Sequence, residues 1–146
     1  MHLTFQLDGI TVDTDVPANT LLLDLIRRYT TAPKDGCGVG VCGTCTVMVD
    51  GNPVSACLTL AGIIQDRSVQ TAQGLRHTHA ALVEAFAQHE GLQCGICTPG
   101  QLVAAAAFGM SHSRSDESSI RDHMNGNLCR CTGYNTIVRA IHHGTV

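Results

Sequence analysis

This chain of 146 residues has no tryptophan, two tyrosines and three phenylalanines, so it offers no aromatic platform on which a flavin ring or a nucleic-acid base could stack. It has no surplus of positive charge either. A formal net charge of −3 and a pI near 6.2 exclude the basic footprint of a nucleic-acid binder. No apolar run approaches the roughly 20 residues that cross a bilayer. The opening Met1-His2-Leu3-Thr4-Phe5 lacks the positive and apolar regions of a signal peptide, and a cytoplasmic location is expected. No nucleophile and base pair is recognisable, so substrate chemistry is expected to lie in another chain.

What the chain does have is cysteine, eight residues in two unlike sets of four. Cys37, Cys42, Cys45 and Cys57 follow C-x4-C-x2-C with a distant fourth, and Cys94, Cys97, Cys129 and Cys131 form a C-x2-C and a C-x-C far apart. Thiols in the cytoplasm stay reduced, so this pattern points to metal ligation rather than to disulfides. Two four-thiolate sites also suit a chain whose halves are each too small to bury much apolar surface without a staple.

The first half reads as strands. Leu3, Phe5 and Leu7 alternate with polar neighbours, Asp8-Gly9 turns the chain, and Ile10, Val12 and Val16 resume it as a hairpin. A short helix is expected over Leu21 to Ile26, with Thr20 or Asn19 as its N-cap. Thr46-Val47-Met48-Val49 and Val54-Ser55-Ala56 flank the turn residues Asp50-Gly51-Asn52-Pro53, and a last strand lies around Ser68 to Thr71. Ala72-Gln73-Gly74-Leu75 is the expected junction. Beyond it the period becomes helical: His79 to His89, a nearly all-apolar Gly100 to Met110, a helix capped by Ser115-Asp116-Glu117 running to about Met124, and Tyr134 to His143. The expected class is α+β, a small mixed sheet with a helix packed on it, then a compact bundle of four helices. Part of the surface of helix 100–110 is expected to meet a partner chain.

The spacing of the first set is that of plant-type ferredoxins, which hold one [2Fe–2S] cluster by four thiolates. Gly36, Gly38, Gly40 and Gly43 permit positive φ and let amide groups face cluster sulfurs as an anion nest. Structural zinc is the alternative, although zinc sites usually pair two knuckles and here the ligands split three and one. The formal dinucleotide fingerprint Gly38-x-Gly40-x-x-Gly43 encloses Cys42 and precedes a strand, where a nucleotide site needs a helix.

In the second set, Cys94-Gly95-Ile96-Cys97 alone would also suit a redox dithiol. That reading leaves Cys129-Arg130-Cys131 unexplained. Those two are close enough to share one iron, so pairing 94/97 with 129/131 uses every thiolate. Each pair stands just before a helix, and both helix N-termini are expected to face the bound anion.

The stretches Gly36 to Val47, Gln93-Cys94-Gly95-Ile96-Cys97-Thr98-Pro99-Gly100 and Gly126-Asn127-Leu128-Cys129-Arg130-Cys131-Thr132-Gly133-Tyr134 resemble the small iron–sulfur subunit of the xanthine dehydrogenase/oxidase family of molybdenum hydroxylases. The likeness covers nearly the whole chain. It implies a β-grasp ferredoxin-like domain over 1–73 and a four-helix domain over 74–146, each with a [2Fe–2S] cluster. It further implies a large subunit with molybdopterin cytosine dinucleotide, a medium FAD subunit and a dimer of heterotrimers. Electrons would pass from molybdenum through the 94/97/129/131 centre, then the 37/42/45/57 centre, to flavin. Gln93 would hydrogen-bond the pterin across the subunit interface. Ile96, Thr44 and Thr31 to Asp35 depart from the commonest forms of the family. A free-standing two-cluster carrier is the alternative function, and the substrate is chosen outside this chain.

The remaining polar residues suggest ordinary roles. His77, His79, His112, His142 and His143 have no second ligand at metal spacing and read as solvated surface. Met110 and Met124 read as core or interface filler, and Asp116, Glu117 and Asp122 as helix capping and solvation.

Overall fold

A computed structural model describes residues 1–111 and 116–144. Strands β1 (His2–Leu7) and β2 (Ile10–Asp15) form the expected hairpin, paired from His2 with Asp15 to Leu7 with Ile10. Asp8 and Gly9 both take positive φ, 50° and 86°, the pair of left-handed residues that a tight hairpin turn with native twist requires. The period of two puts Leu3, Phe5 and Leu7 on the buried face. On β2, Val12 is buried and Ile10 is 70% exposed.

β3 (Thr46–Val49) and β4 (Asn52–Ser55) make the second hairpin around Asp50-Gly51, and β5 (Ser68–Gln70) joins β1 in parallel and β3 in antiparallel fashion. The sheet order is β2-β1-β5-β3-β4. Helix α1 (Leu22–Ile26) packs its leucines on the inner face with Leu3, Phe5, Val47 and Val69. Its N-cap is Leu21 without a side-chain cap bond, not Thr20 or Asn19. Leu21 is held instead by a bridge to Leu60, and the Thr20 carbonyl accepts from Ala61 N–H. The chain between β4 and β5 makes two short 3₁₀ turns, Ala56–Leu58 and Ala61–Ile64.

The expected junction is a helix, α2 (Ala72–Thr78). Thr71 caps it by accepting from Gln73 N–H, while Asp8 accepts from both the amide and the hydroxyl of Thr71. One carboxylate therefore ties the first hairpin to the start of the helical half. Local propensity could not show this, because Gly74 weakens the helix signal and lies where any side chain would meet Asp8.

The four expected helices follow as α3 (Ala80–Gln88), α4 (Thr98–Ser111), α5 (Glu117–Met124) and α6 (Asn135–Gly144). Asp116 caps α5 by accepting from Ser119 N–H at 2.9 Å; Ser115 and His112 lie outside the described residues. Residues 100–108 of α4 are all buried within this chain, so they offer no partner surface. The reason is β3. Val47 and Val49 face the first core while Met48 joins the second, with Leu75, Leu82, Phe86, Phe108, Ile137 and Ile141. A strand covered on both faces reads as a continuous buried run, and α4 lies on its outer side.

Candidate metal centres

Residues 36–45 wrap as a loop because glycine allows it. Gly38, Gly40 and Gly43 have φ of 67°, 73° and 70°, a region other residues enter at a cost. Gly36 serves differently: a Cβ there would lie 2.7 Å from Thr44 Oγ1 and 3.1 Å from Cys42 Sγ. The amides of Val39, Val41 and Cys42 donate to Cys37 Sγ at 3.5, 3.3 and 3.4 Å. Those amides, Val39 foremost, bring the Cys37 thiol down to about 6. Burial, with Cys57 alongside, pushes Cys45 up to about 11. Cys57 sits buried on the 3₁₀ turn after β4. The four thiols thus stand as two neighbouring pairs, 37 with 42 and 45 with 57.

The second set also gathers, although its members are 37 residues apart in the chain at their widest. Cys131 Sγ lies 3.5 Å from Cys94 Sγ, and Cys97 neighbours Cys129. The neighbouring thiols therefore stand crosswise, 94 with 131 and 97 with 129. The fold brings each cysteine of the C-x-C toward a different partner. Burial, with Cys129 and Cys94 near, pushes Cys97 up to about 12. Burial opposes ionisation of Cys129 too, but the Thr132 hydroxyl and amide, at 3.1 and 3.5 Å, and the Cys131 amide outweigh it and lower that thiol.

Cys97 directly precedes α4, as expected. At the other pair the donors come from the loop, since Thr132 supplies them and α6 begins only at Asn135. Gly133 and Tyr134 take φ of 67° and 71° to turn that loop, and Tyr134 Oη accepts from Cys129 N–H at 3.0 Å.

The two loops stand back to back. Leu128 N–H donates to the Cys42 carbonyl at 2.9 Å, and Asn127 Nδ2 to the Gly43 carbonyl at 3.1 Å. Gln101 from α4 holds the Asn127 carbonyl at 2.7 Å. A Cβ on Gly100 would fall on the Gly43 carbonyl oxygen. Asn127 and Gln101 carry no chemistry of their own, and no motif singles out their role; an Asn two residues before Cys129 was the available sign.

Among the described residues no three His, Cys, Asp or Glu side chains converge on a single ion position. Thiols in pairs suit a [2Fe–2S] core, in which each iron takes two thiolates. Donor type, pairing and the amide nest all fit such a group at both places. His77 is exposed, His79 bonds Thr78, and His143 stacks on His89 at 4.5 Å between ring centres. Met124 is buried core, whereas Met110 is 61% exposed. Gln93 is exposed beside Cys94, lining a cleft with Glu90, Leu92 and Thr136.

Fold and thiols define a two-centre [2Fe–2S] protein, and comparison with known proteins agrees. Residues 5–66 match the family described as "2Fe-2S iron-sulfur cluster binding domain", and residues 71–142 the "[2Fe-2S] binding domain". The chain is 38% identical to caffeine dehydrogenase subunit gamma of Pseudomonas sp. (strain CBB1), over 95% of this chain and 87% of that one. It is 38% identical to a subunit of the probable xanthine dehydrogenase of Bacillus subtilis (strain 168), over 83% of this chain and 72% of that one. The crystal structure of quinoline 2-oxidoreductase from Pseudomonas putida 86 superposes with a TM-score of 0.93 at 38% identity, over 99% of this chain and 92% of that one. The chain belongs to the small iron–sulfur subunits of the xanthine dehydrogenase family of molybdenum hydroxylases. It is an electron-transfer component of a multi-subunit oxidoreductase. Among the described residues no helix is long and apolar enough to cross a membrane.

Proposed function

We propose that Cys37, Cys42, Cys45 and Cys57 hold one [2Fe–2S] cluster and Cys94, Cys97, Cys129 and Cys131 the other, in domains meeting at residues 73/74. Each cluster, when bound, takes up and releases one electron at a time, so the pair carries electrons from a molybdopterin centre in a large subunit to FAD in a medium one. The observation that carries this reading is the hydrogen bond from Leu128 N–H to the Cys42 carbonyl. It joins the residue before Cys129 to a ligand of the other set, leaving a short path of covalent bonds and one 2.9 Å contact between the two groups of sulfurs.

The domain division is supported by the two cores, Val69 packing in the first and Leu75 in the second, although α2 straddles the boundary. Each set has exposed thiols with exposed apolar residues close by in the chain. Val39 and Val41 follow Cys37, and Leu58 follows Cys57; Leu92 and Ile96 flank Cys94, and Leu128 precedes Cys129. Such residues suit desolvated contact with partner subunits. The second group includes Gln93, which on this reading bonds the pterin of the large subunit. The assembly is a dimer of heterotrimers in the cytoplasm, where thiols remain free to bind iron.

Iron and acid-labile sulfide in the copurified complex test the ligand sets: about four irons per chain are expected. A chain with zinc in their place, or one that runs alone without molybdenum or flavin, would sink the reading.

A further inference from the structure

Thr44 lies at the end of the cysteine loop, between Cys42 and Cys45, with 6% of its surface exposed. Its hydroxyl oxygen is 3.2 Å from Cys42 Sγ and 3.2 Å from the Lys34 carbonyl. Gly36 makes room for this meeting, since a Cβ there would crowd both the hydroxyl and the sulfur. The hydroxyl has one proton and two acceptors within reach. A free thiol carries its own proton and can donate to the hydroxyl, leaving Thr44 to bond Lys34. A metal-bound thiolate has no proton and carries negative charge, and charge-assisted hydrogen bonds are roughly twice as strong as neutral ones. The proton therefore turns to sulfur when the centre is loaded.

Each electron that enters the centre adds negative charge to its sulfurs. A donor on a sulfur then binds the reduced state more strongly than the oxidised one and raises the reduction potential. We propose that Thr44 is a positioning residue for electron transfer: its hydroxyl donates to the Cys42 sulfur and holds up the electron affinity of the N-terminal centre. This rests on the reading that Cys42 ligates a [2Fe–2S] cluster. The amide nest bears on Cys37, the paired thiol. Amides and hydroxyl thus act on the same half of the centre, while Cys45 and Cys57 are buried.

The test is an EPR-monitored redox titration of the assembled complex carrying Thr44→Val, which keeps the branched shape without the hydroxyl, and Thr44→Ser, which restores it. Thr44→Val should lower the one-electron reduction constant of one of the two centres about tenfold, about 59 mV, and leave the other unmoved. Thr44→Ser should return most of that change. Equal shifts in Val and Ser, or no shift in Val, would overturn the role. If Thr44→Val does not load, Thr44→Ala carries the test, and loss of the centre in both would overturn the proposal by showing that the hydroxyl serves assembly. Iron and sulfide are counted in every sample. Wild-type chain without iron would overturn the ligand assignment together with this role, whereas fully loaded chains indifferent to the hydroxyl would overturn this role alone.

Discussion

Replacing Gly100 with alanine places a methyl carbon on the Gly43 carbonyl oxygen, 3.0 Å from the Gly43 carbonyl carbon and 3.1 Å from Thr44 Cα. All three atoms are backbone, so no rotamer change relieves the clash. α4 cannot back away freely either, because residues 100–108 are buried on every side. Overpacking of this kind costs about 1–3 kcal/mol. The Gly43 carbonyl also receives Thr46 N–H, Thr46 Oγ1 and Asn127 Nδ2 at 3.2, 2.8 and 3.1 Å, and loss of one of these adds about 1 kcal/mol. Better helix propensity returns up to about 1 kcal/mol. The net is a destabilisation of about 1–3 kcal/mol, or roughly 3–10 °C in melting temperature for a chain of this size. The control is Gly126→Ala, where an added Cβ meets nothing within 4 Å and a change within about 0.5 kcal/mol is expected. Thermal unfolding of the iron-loaded variants, followed by circular dichroism at one scan rate, measures both. Equal melting temperatures for the two would refute the claim that α4 and the cysteine loop meet backbone to backbone.

Cys97→Ser should abolish one of two EPR signals and stop turnover while the other centre persists; loss of both signals would refute independent sites. In the iron-free folded chain, Cys37 should be alkylated by iodoacetamide well before Cys97 at pH 7, because its thiol lies at about 6 and that of Cys97 at about 12. The linkage signs are opposite. With unfolded values near 9, the lowered Cys37 contributes stability that is full above about pH 9 and lost as pH falls through about 6. The raised Cys97 contributes stability that is full below about 9 and lost as pH rises toward 12. Peptide mapping showing equal labelling at pH 7 would count against the amide nest. Gln93→Ala in the complex should leave iron content and both EPR signals intact while slowing reduction of the clusters by substrate in stopped-flow; unchanged rates would remove the pterin contact.

Several elements were legible because their signal is local. Alternating Leu3, Phe5 and Leu7, the Asp8-Gly9 and Asp50-Gly51 turns and the Asp116 cap depend on near neighbours, and each took its expected place. The misplaced expectations involve distant partners. α2 owes its start to Asp8, 63 residues earlier in the chain. α1 is held at Leu21 by Leu60 rather than by a polar cap. The apolar surface of α4 over residues 100–108 is covered by β3 and the neighbouring helices rather than left for another subunit, and exposure begins again toward Met110.

Residue type and spacing alone divided the cysteines into two sets of four and named thiolate-bound iron as the chemistry, because ligand chemistry is a property of side chains and short loops. Which thiol neighbours which, the seam between the Cys42 and Leu128 backbones, and the placing of the Thr44 hydroxyl on a sulfur were decided only by the folded chain. Each joins groups brought together by packing of α4 on β3 or by a loop reversing on itself, and no one-dimensional pattern encodes such distances.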